Sequence, residues 1–331
     1  MESRVLVTDI QRFCVNDGPG FRTNVYLKGC VLRCGWCHNP EAMSLQPELW
    51  WKRRACVQCG ACLAVCPRDA IRPPIPPEEA QREGSSYFKI IRERCDLCVD
   101  NGFHMRCVEA CLHGGLETVG KQMSVNEIVD EVERDRMFYE NSGGGMTLSG
   151  GEPTAHLEFS SELLREAKKR GLHVCLDTSG LCQWDSLKAL AKMSDIVLFD
   201  VKHLDSAPHK EGTGAGNEAI LRNLSLLSKE GAEIWVRIPV IPKFNDSMEF
   251  HTRAAEYLAT LGVGITRVDL LPFHNWCQDK YGWLGRSWSL GEVEALEPGF
   301  LEVFAELYRG KGFAATVGGS GFEAQGRVVN A

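Results

Sequence analysis

Nothing in this 331-residue chain is long and apolar enough to suggest a membrane span: runs such as Ile196 to Phe199 fall far short of the roughly 18 residues a span requires. The apolar core of a secretory signal is missing from the N-terminus as well, so a soluble, cytoplasmic protein without a membrane partner is expected. There is no excess of positive charge. With 37 Lys and Arg against 44 Asp and Glu, the net charge is -7, and no nucleic acid partner is expected. The 44% hydrophobic and 24% charged fractions are those of an ordinary globular chain, and the length suits one large domain or two unequal ones. Cysteine is the departure. Fifteen cysteines are too few for a small disulfide scaffold and conspicuous for a cytosolic chain, whose thiols stay reduced, which turns attention to metal or redox chemistry.

The cysteines are clumped, twelve of the fifteen lying between Cys14 and Cys111. Three groups account for eleven: Cys30, Cys34, Cys37; then Cys56, Cys59, Cys62, Cys66 followed by Pro67; then Cys95, Cys98, Cys107, Cys111. Cys14, Cys175, Cys182 and Cys277 stand apart and read as small buried hydrophobes. From residue 121 cysteine becomes scarce and apolar periodicity takes over, opening with the capping-box spacing Ser124 to Glu127 and a helix carrying Val125, Ile128, Val129 and Val132. Short apolar runs at Val25–Leu27, Met146–Leu148, His173–Leu176, Ile196–Val201, Ile234–Ile238 and Ile265–Leu271 read as strands. Helices fit at 157–170, 184–193, 217–230 and 247–261. A βα repeat of this kind folds as a parallel sheet with crossover helices, and periodicity alone leaves a partial barrel and an open doubly wound sheet both standing. Glu152, Asp177, Asp200 with Lys202, Arg237 and His274 fall at or just past the C-terminal ends of successive strands, where both architectures place active sites.

Residues 50–115 read as an insertion, dividing the chain into 1–49 with 116–331 and the insert between them. Its C-x2-C-x2-C-x3-C-P run has the spacing of bacterial ferredoxins, in which the fourth cysteine of each run serves the other cluster. On that pattern Cys56, Cys59, Cys62 and Cys111 hold one [4Fe-4S] cluster, and Cys66, Cys95, Cys98 and Cys107 hold the second. The third group departs from the pattern, with eight residues between Cys98 and Cys107 and no proline after Cys111. Four-thiolate zinc sites are the rival reading. Pro73, Pro74, Pro76 and Pro77 form a stiff connection between the quartets. The first group, C-x3-C-x2-C, offers only three thiolates, which on a cubane leaves one iron open to another ligand.

Here the chain resembles the radical S-adenosylmethionine (SAM) superfamily, and within it the glycyl-radical enzyme activating enzymes. The resemblance rests on Asp17-Gly-Pro-Gly-Phe-Arg22, Lys28-Gly-Cys30, Cys34-Gly-Trp-Cys37-His-Asn-Pro-Glu41, Ser149-Gly-Gly-Glu-Pro153, Asp177-Thr-Ser-Gly180, Asp200-Val-Lys202, Val236-Arg237 and Leu270-Leu-Pro-Phe-His274. It implies a partial (β/α)6 TIM-type barrel with an inserted ferredoxin-like domain carrying two [4Fe-4S] clusters. It further implies that Cys30, Cys34 and Cys37 hold a third, catalytic [4Fe-4S] cluster whose open iron takes the methionine part of SAM. Gly150, Gly151 and Glu152 would engage the cofactor's amino group, and Asp177, Lys202, Arg237 and His274 would line the same mouth. Asp177, Thr178 and Asp200 would neighbour a monovalent cation, while Asp17 and Arg22 would face an incoming partner peptide. Cys277 stands where the family often has glycine.

The implied chemistry is one-electron cleavage of SAM to a 5′-deoxyadenosyl radical, which takes a hydrogen from one glycine of a large glycyl-radical enzyme. A monomer reduced by flavodoxin or ferredoxin is expected, with benzylsuccinate synthase the favoured partner among several served by insert-bearing relatives. Two alternatives stand beside it: a radical SAM enzyme acting on a small molecule or peptide, and an electron-transfer iron-sulfur protein. The former would share the three-cysteine and Gly-Gly-Glu motifs but not the D-G-P-G-x-R and C-H-N-P-E stretches; the latter would leave Cys30, Cys34 and Cys37 idle.

Overall fold

The computed structural model describes residues 3–83, 87–95, 98 and 105–322. A nine-stranded sheet dominates it. Its strands are β1 (Arg4–Cys14), β2 (Arg22–Leu27), β7 (Lys121–Ser124), β8 (Gly145–Gly150), β9 (His173–Thr178), β10 (Ile196–Asp200), β11 (Ile234–Val240), β12 (Ile265–Pro272) and β13 (Ala314–Val317). They lie in the order β13-β12-β11-β10-β9-β8-β2-β1-β7, and from β2 through β13 every pairing is parallel. The six strands expected from periodicity are all present, as are the helices Leu157–Lys169, Trp184–Ala191, Glu218–Lys229 and Met248–Thr260. A seventh parallel strand, β13, and an antiparallel edge of β1 and β7 extend the sheet beyond that expectation.

Alternation along the strands sorts the two faces. Met146 and Leu148, Val174 and Leu176, Val197 and Phe199, and Val236 and Ile238 all enter one apolar core beneath the helices. The residues between them, among them Thr147, Ser149, Cys175, Asp177, Asp200, Arg237 and Asp269, point to the opposite, largely polar face. The sheet stays open, with β7 and β13 as its edges among the described residues. Yet Gly321, just past β13, donates to Val15 O at 2.6 Å, and Arg237 reaches Asp17 at 2.9 Å, so loop 15–21 crosses the polar face and closes it from the N-terminal end of the parallel strands. Gly18 sits there at φ +121°, and a Cβ on it would lie 2.7 Å from Cys175 Sγ.

The inserted region leaves and rejoins the sheet through an antiparallel ribbon, β3 (Glu48–Trp51) against β6 (Leu116–Val119), with Glu48 opposite Val119 and Trp51 opposite Leu116. A second small pair, β4 (Ile71–Arg72) and β5 (Lys89–Ile90), lies within it. Leu49, Trp51, Ile71, Phe88, Met105 and Leu116 form a separate small core there.

Candidate active site

The loop carrying Cys30, Cys34 and Cys37 leaves the C-terminal end of β2 and is fastened at its base. Lys28, fully buried, donates to Glu41 O and to Glu48 Oε2, each at 2.6 Å, while Gly29 N donates to Ala42 O at 2.7 Å. Its far side is tied to the segment 206–214, with Arg33 N on Thr213 O (2.8 Å) and Gly35 N on Gly212 O (2.9 Å). A third set of ties comes from the helix Gln278–Trp283 and the residues after it. Tyr281 Oη donates to Cys37 O at 3.0 Å, Lys280 Nζ to Glu41 Oε1 at 2.6 Å and Trp288 Nε1 to Gly35 O at 2.8 Å. The three thiols are neighbours electrostatically, Cys34 feeling Cys30 and Cys37 feeling both. Burial pushes the Cys34 thiol up to about 11 and Cys37 higher still, which disfavours the bare thiolate of both.

The neighbouring strand ends converge on this loop. Gly151 N donates to Leu27 O and Glu152 N to Gly29 O, both at 2.8 Å, and a Cβ on Gly151 would collide with Gly29 O. The paired glycines therefore let the end of β8 lie backbone to backbone against the start of the cysteine loop. The Glu152 carboxylate is fully buried and accepts from Thr154 N and Oγ1, Thr178 Oγ1, and Ser179 N and Oγ. It is thus engaged by the chain's own donors. Lys202, paired with Asp200 at 2.5 Å, also lies within electrostatic reach of Cys30 and Cys34. Arg237 bridges two carboxylates, Asp17 at 2.9 Å and Asp177 at 3.4 Å, and Asp177 accepts from Ser149 Oγ at 2.6 Å. Burial raises the Asp177 carboxyl to about 6 against the pull of Arg237, with Asp200 and Asp17 adding to the rise. The His274 ring lies 4.0 Å from that of His38, next in chain to Cys37, and His38 is held near 4 by burial and by His274.

Arg22 departs from its expected place. It is fully buried on β2, where Nε donates to Thr147 Oγ1 at 2.9 Å, one terminal nitrogen meets His173 Nδ1 at 3.1 Å and the other donates to Met146 O. The alternation of β2 turns it under the loop rather than outward, so it supports the seat of Asp17, whose backbone oxygen accepts from Thr147.

Residues 86–255 match the radical SAM superfamily, and residues 50–72 match a 4Fe-4S binding domain. The chain is 39% identical over 317 residues to the benzylsuccinate synthase activating enzyme of Thauera aromatica, covering 95% of this chain and 92% of that one. It is 40% identical over 290 residues to the isethionate sulfite-lyase activating enzyme of Nitratidesulfovibrio vulgaris, covering 86% and 89%. With the trans-4-hydroxy-L-proline dehydratase activating enzyme of Clostridioides difficile it shares 34% over 321 residues, covering 95% and 99%. The chain belongs to the glycyl-radical enzyme activating enzymes of the radical SAM superfamily. Its activity is that of a radical SAM oxidoreductase, which cleaves SAM reductively and sets a glycyl radical on a partner enzyme.

In this activating enzyme the insert gathers its cysteines around two cavities. Cys56, Cys59, Cys62 and Cys111 line the first; Cys66, Cys95, Cys98 and Cys107 line the second. Residues 99–104, within the long Cys98 to Cys107 gap, lie outside the described residues. Among the described residues no three His, Cys, Asp or Glu side chains are arranged to hold a single metal ion. Sequence reasoning missed the fastening residues Tyr281, Arg286 and Trp288. They lie some 240 to 250 positions beyond the loop they hold, and no local pattern ties them to it. Cys277, at φ -82°, takes an ordinary helical conformation, so no glycine is needed there.

Proposed function

We propose that Cys30, Cys34 and Cys37 hold the catalytic cluster, that SAM lies between it and Gly150, Gly151, Asp177, Lys202, Arg237 and His274 in a partial barrel, and that the two insert cavities hold one [4Fe-4S] cluster each. The observation that carries this is the convergence of Glu152, Lys202 and His274 on a half-buried three-cysteine loop at the C-terminal edge of a parallel sheet. Soft thiolate donors with one cluster position left open suit an iron-sulfur centre that binds a further ligand. When bound, the cluster and SAM supply the one-electron chemistry. The chain contributes a cation, Lys202, beside the thiolates, and a carboxylate, Asp177, held in orientation by Ser149 and Arg237. Loop 15–21 crosses the polar face and brings Asp17 against Arg237. Three carboxylates, Asp17, Asp177 and Asp200, lie within reach of one another, which supports a monovalent cation beside Asp177, Thr178 and Asp200.

The protein substrate on this reading is a glycyl-radical enzyme of the benzylsuccinate synthase type, in keeping with 39% identity running through 95% of the chain. An isethionate sulfite-lyase is the second reading, at 40% over 86%. On this reading the protein is a cytoplasmic monomer reduced by flavodoxin or ferredoxin; no described helix is long and apolar enough to cross a membrane. The test is anaerobic reconstitution with SAM, a reductant and each purified partner in turn. The expected results are about twelve irons per chain, at four per cubane, release of methionine and 5′-deoxyadenosine, and a glycine-centred electron paramagnetic resonance signal on one partner. SAM cleavage without a signal on any glycyl-radical enzyme would favour a small-molecule or peptide substrate.

A further inference from the structure

The ribbon that roots the insert also ranks its two cavities. β3 starts at Glu48, whose carboxylate takes Lys28 Nζ at 2.6 Å and Arg286 at 2.5 Å beside the base of the catalytic cysteine loop. One residue along, Leu49 lines the cavity of Cys66, Cys95, Cys98 and Cys107. Two residues further, Trp51 lines the cavity of Cys56, Cys59, Cys62 and Cys111, as does Leu116, its partner across the ribbon. A strand rises about 3.3 Å per residue, so Trp51 stands roughly 7 Å farther along the ribbon than Leu49.

The helix Gln278–Trp283 joins the nearer cavity to the cysteine loop. Arg92, three residues before Cys95 and at the start of the same short helix, donates to Leu49 O and, at 2.8 Å, to Trp283 O. Two residues before Trp283, Tyr281 donates to Cys37 O at 3.0 Å. Trp50 meets Trp283 edge to face at 5.2 Å, with Lys52 Nζ over both rings. A packed, hydrogen-bonded path thus runs from Cys95 to Cys37. At the far cavity, Cys59 and Val57 are exposed.

From this placement we infer that the two insert cavities act in series: the cluster held by Cys56, Cys59, Cys62 and Cys111 takes the electron at the surface, and the one held by Cys66, Cys95, Cys98 and Cys107 hands it to the catalytic cluster. This rests on the two-cluster reading of the insert. One electron leaves a reduced flavodoxin or ferredoxin; each cluster in turn is reduced by one electron and reoxidised as it passes it on, and no bond or proton changes place. Tyr281, Trp283 and Arg92 are positioning residues, which fix the second cavity against the cysteine loop.

The order is read by magnetic coupling, which weakens steeply with distance, in the full-length reconstituted protein. Cys59→Ser with Cys62→Ser removes the outer cluster, and Cys95→Ser with Cys107→Ser removes the inner one. In the fully reduced, SAM-bound protein the catalytic cluster's resonance keeps its broadening and fast relaxation in the first variant and loses both in the second. The reverse pattern overturns the order. Should either variant shed more than one cluster, Arg92→Ala, which keeps every cysteine, takes a cation from beside the inner cavity and lowers the reduction potential of the cluster there. In a stepwise redox titration, the cluster whose potential falls must be the one whose reduction broadens the catalytic signal; a fall in the other cluster's potential overturns the order. Failure of the two-cluster reading looks different: the unmodified protein then holds only four irons and shows no insert signal to rank.

Discussion

The Glu152 carboxylate is held on both oxygens by the chain's own donors. Each of its oxygens accepts from one backbone N–H, Oε1 from Thr154 and Oε2 from Ser179, in addition to hydroxyl groups that can rotate. In Glu152→Gln, whichever way the amide turns, its NH2 meets one of those fixed N–H groups, and a buried donor left facing a donor costs about 1–3 kcal/mol. The expected outcome is a lowered unfolding midpoint with weaker SAM binding, since Thr178 and Ser179 directly follow Asp177; unchanged stability with lost binding would return Glu152 to the ligand. Arg237 gives a prediction with a sign. Asp177 titrates near about 6, because burial penalises its charge, so ionising it in the folded protein removes stability as pH rises from the ordinary carboxylate range through about 6. Arg237→Ala deletes the cation that opposes this and pushes the titration higher. Its loss of Tm is expected to be small near about pH 5 and largest above about pH 7, where carboxylates left buried and unpaired cost roughly 3–5 kcal/mol. Equal losses at both pH values would mean that Arg237 acts by packing alone.

Among the elements, legibility followed the strength of local signals. Ser124 caps the helix Val125–Glu133 with Glu127 returning the bond, as its spacing indicates, and the six strands with apolar runs appear within a few residues of their expected limits. β13 was not read because Ala314–Val317 is short and poor in large apolar residues. β1 was missed for another reason: only Val5, Leu6 and Val7 are buried in it, and its register slips after Val7, so it shows no period of two. The helix Pro298–Arg309 did carry a readable pattern, with Leu301, Phe304, Ala305 and Tyr308 at helical spacing and all buried. The helix Gln278–Trp283 had no such pattern, since only Tyr281 is buried, and its importance lies in tertiary contacts. Tyr281→Phe isolates one of them. The ring keeps its stack on Trp288 at 5.3 Å, while the bond to Cys37 O is lost. A drop in stability of about 0.5–1.5 kcal/mol is expected, together with faster loss of catalytic iron to a chelator. Iron loss at the parent rate would show that Lys280 and Trp288 hold the loop without it.

At the scale of the whole molecule, the insert is a module whose removal the structure makes practicable. Trp51 and Leu116 face each other at the far end of the β3–β6 ribbon, so a two-residue Asn-Gly turn in place of residues 52–115 closes the ribbon as a hairpin. Everything that fastens the base of the cysteine loop survives the cut: Lys28, Glu41, Glu48, Lys280 and Arg286 all lie outside it. What is lost on the sheet side is the bond from Arg92 to Trp283 O, the Lys52 ammonium over Trp283 and the exposed Arg54–Asp279 ion pair at 3.8 Å, all at the surface of the helix Gln278–Trp283. The shortened chain is therefore expected to fold, to take up about four irons, one cubane's worth, and to bind SAM with nearly the parent affinity. Cleavage should persist when a strong chemical reductant supplies the electron and fall away when flavodoxin or ferredoxin does. Cleavage retained with the protein donors would assign the insert to docking the partner enzyme, with glycyl-radical formation the step that suffers. A chain that folds but takes up no iron would place the fault in the helix Gln278–Trp283, whose hold on Cys37 would then depend on the insert packed behind it.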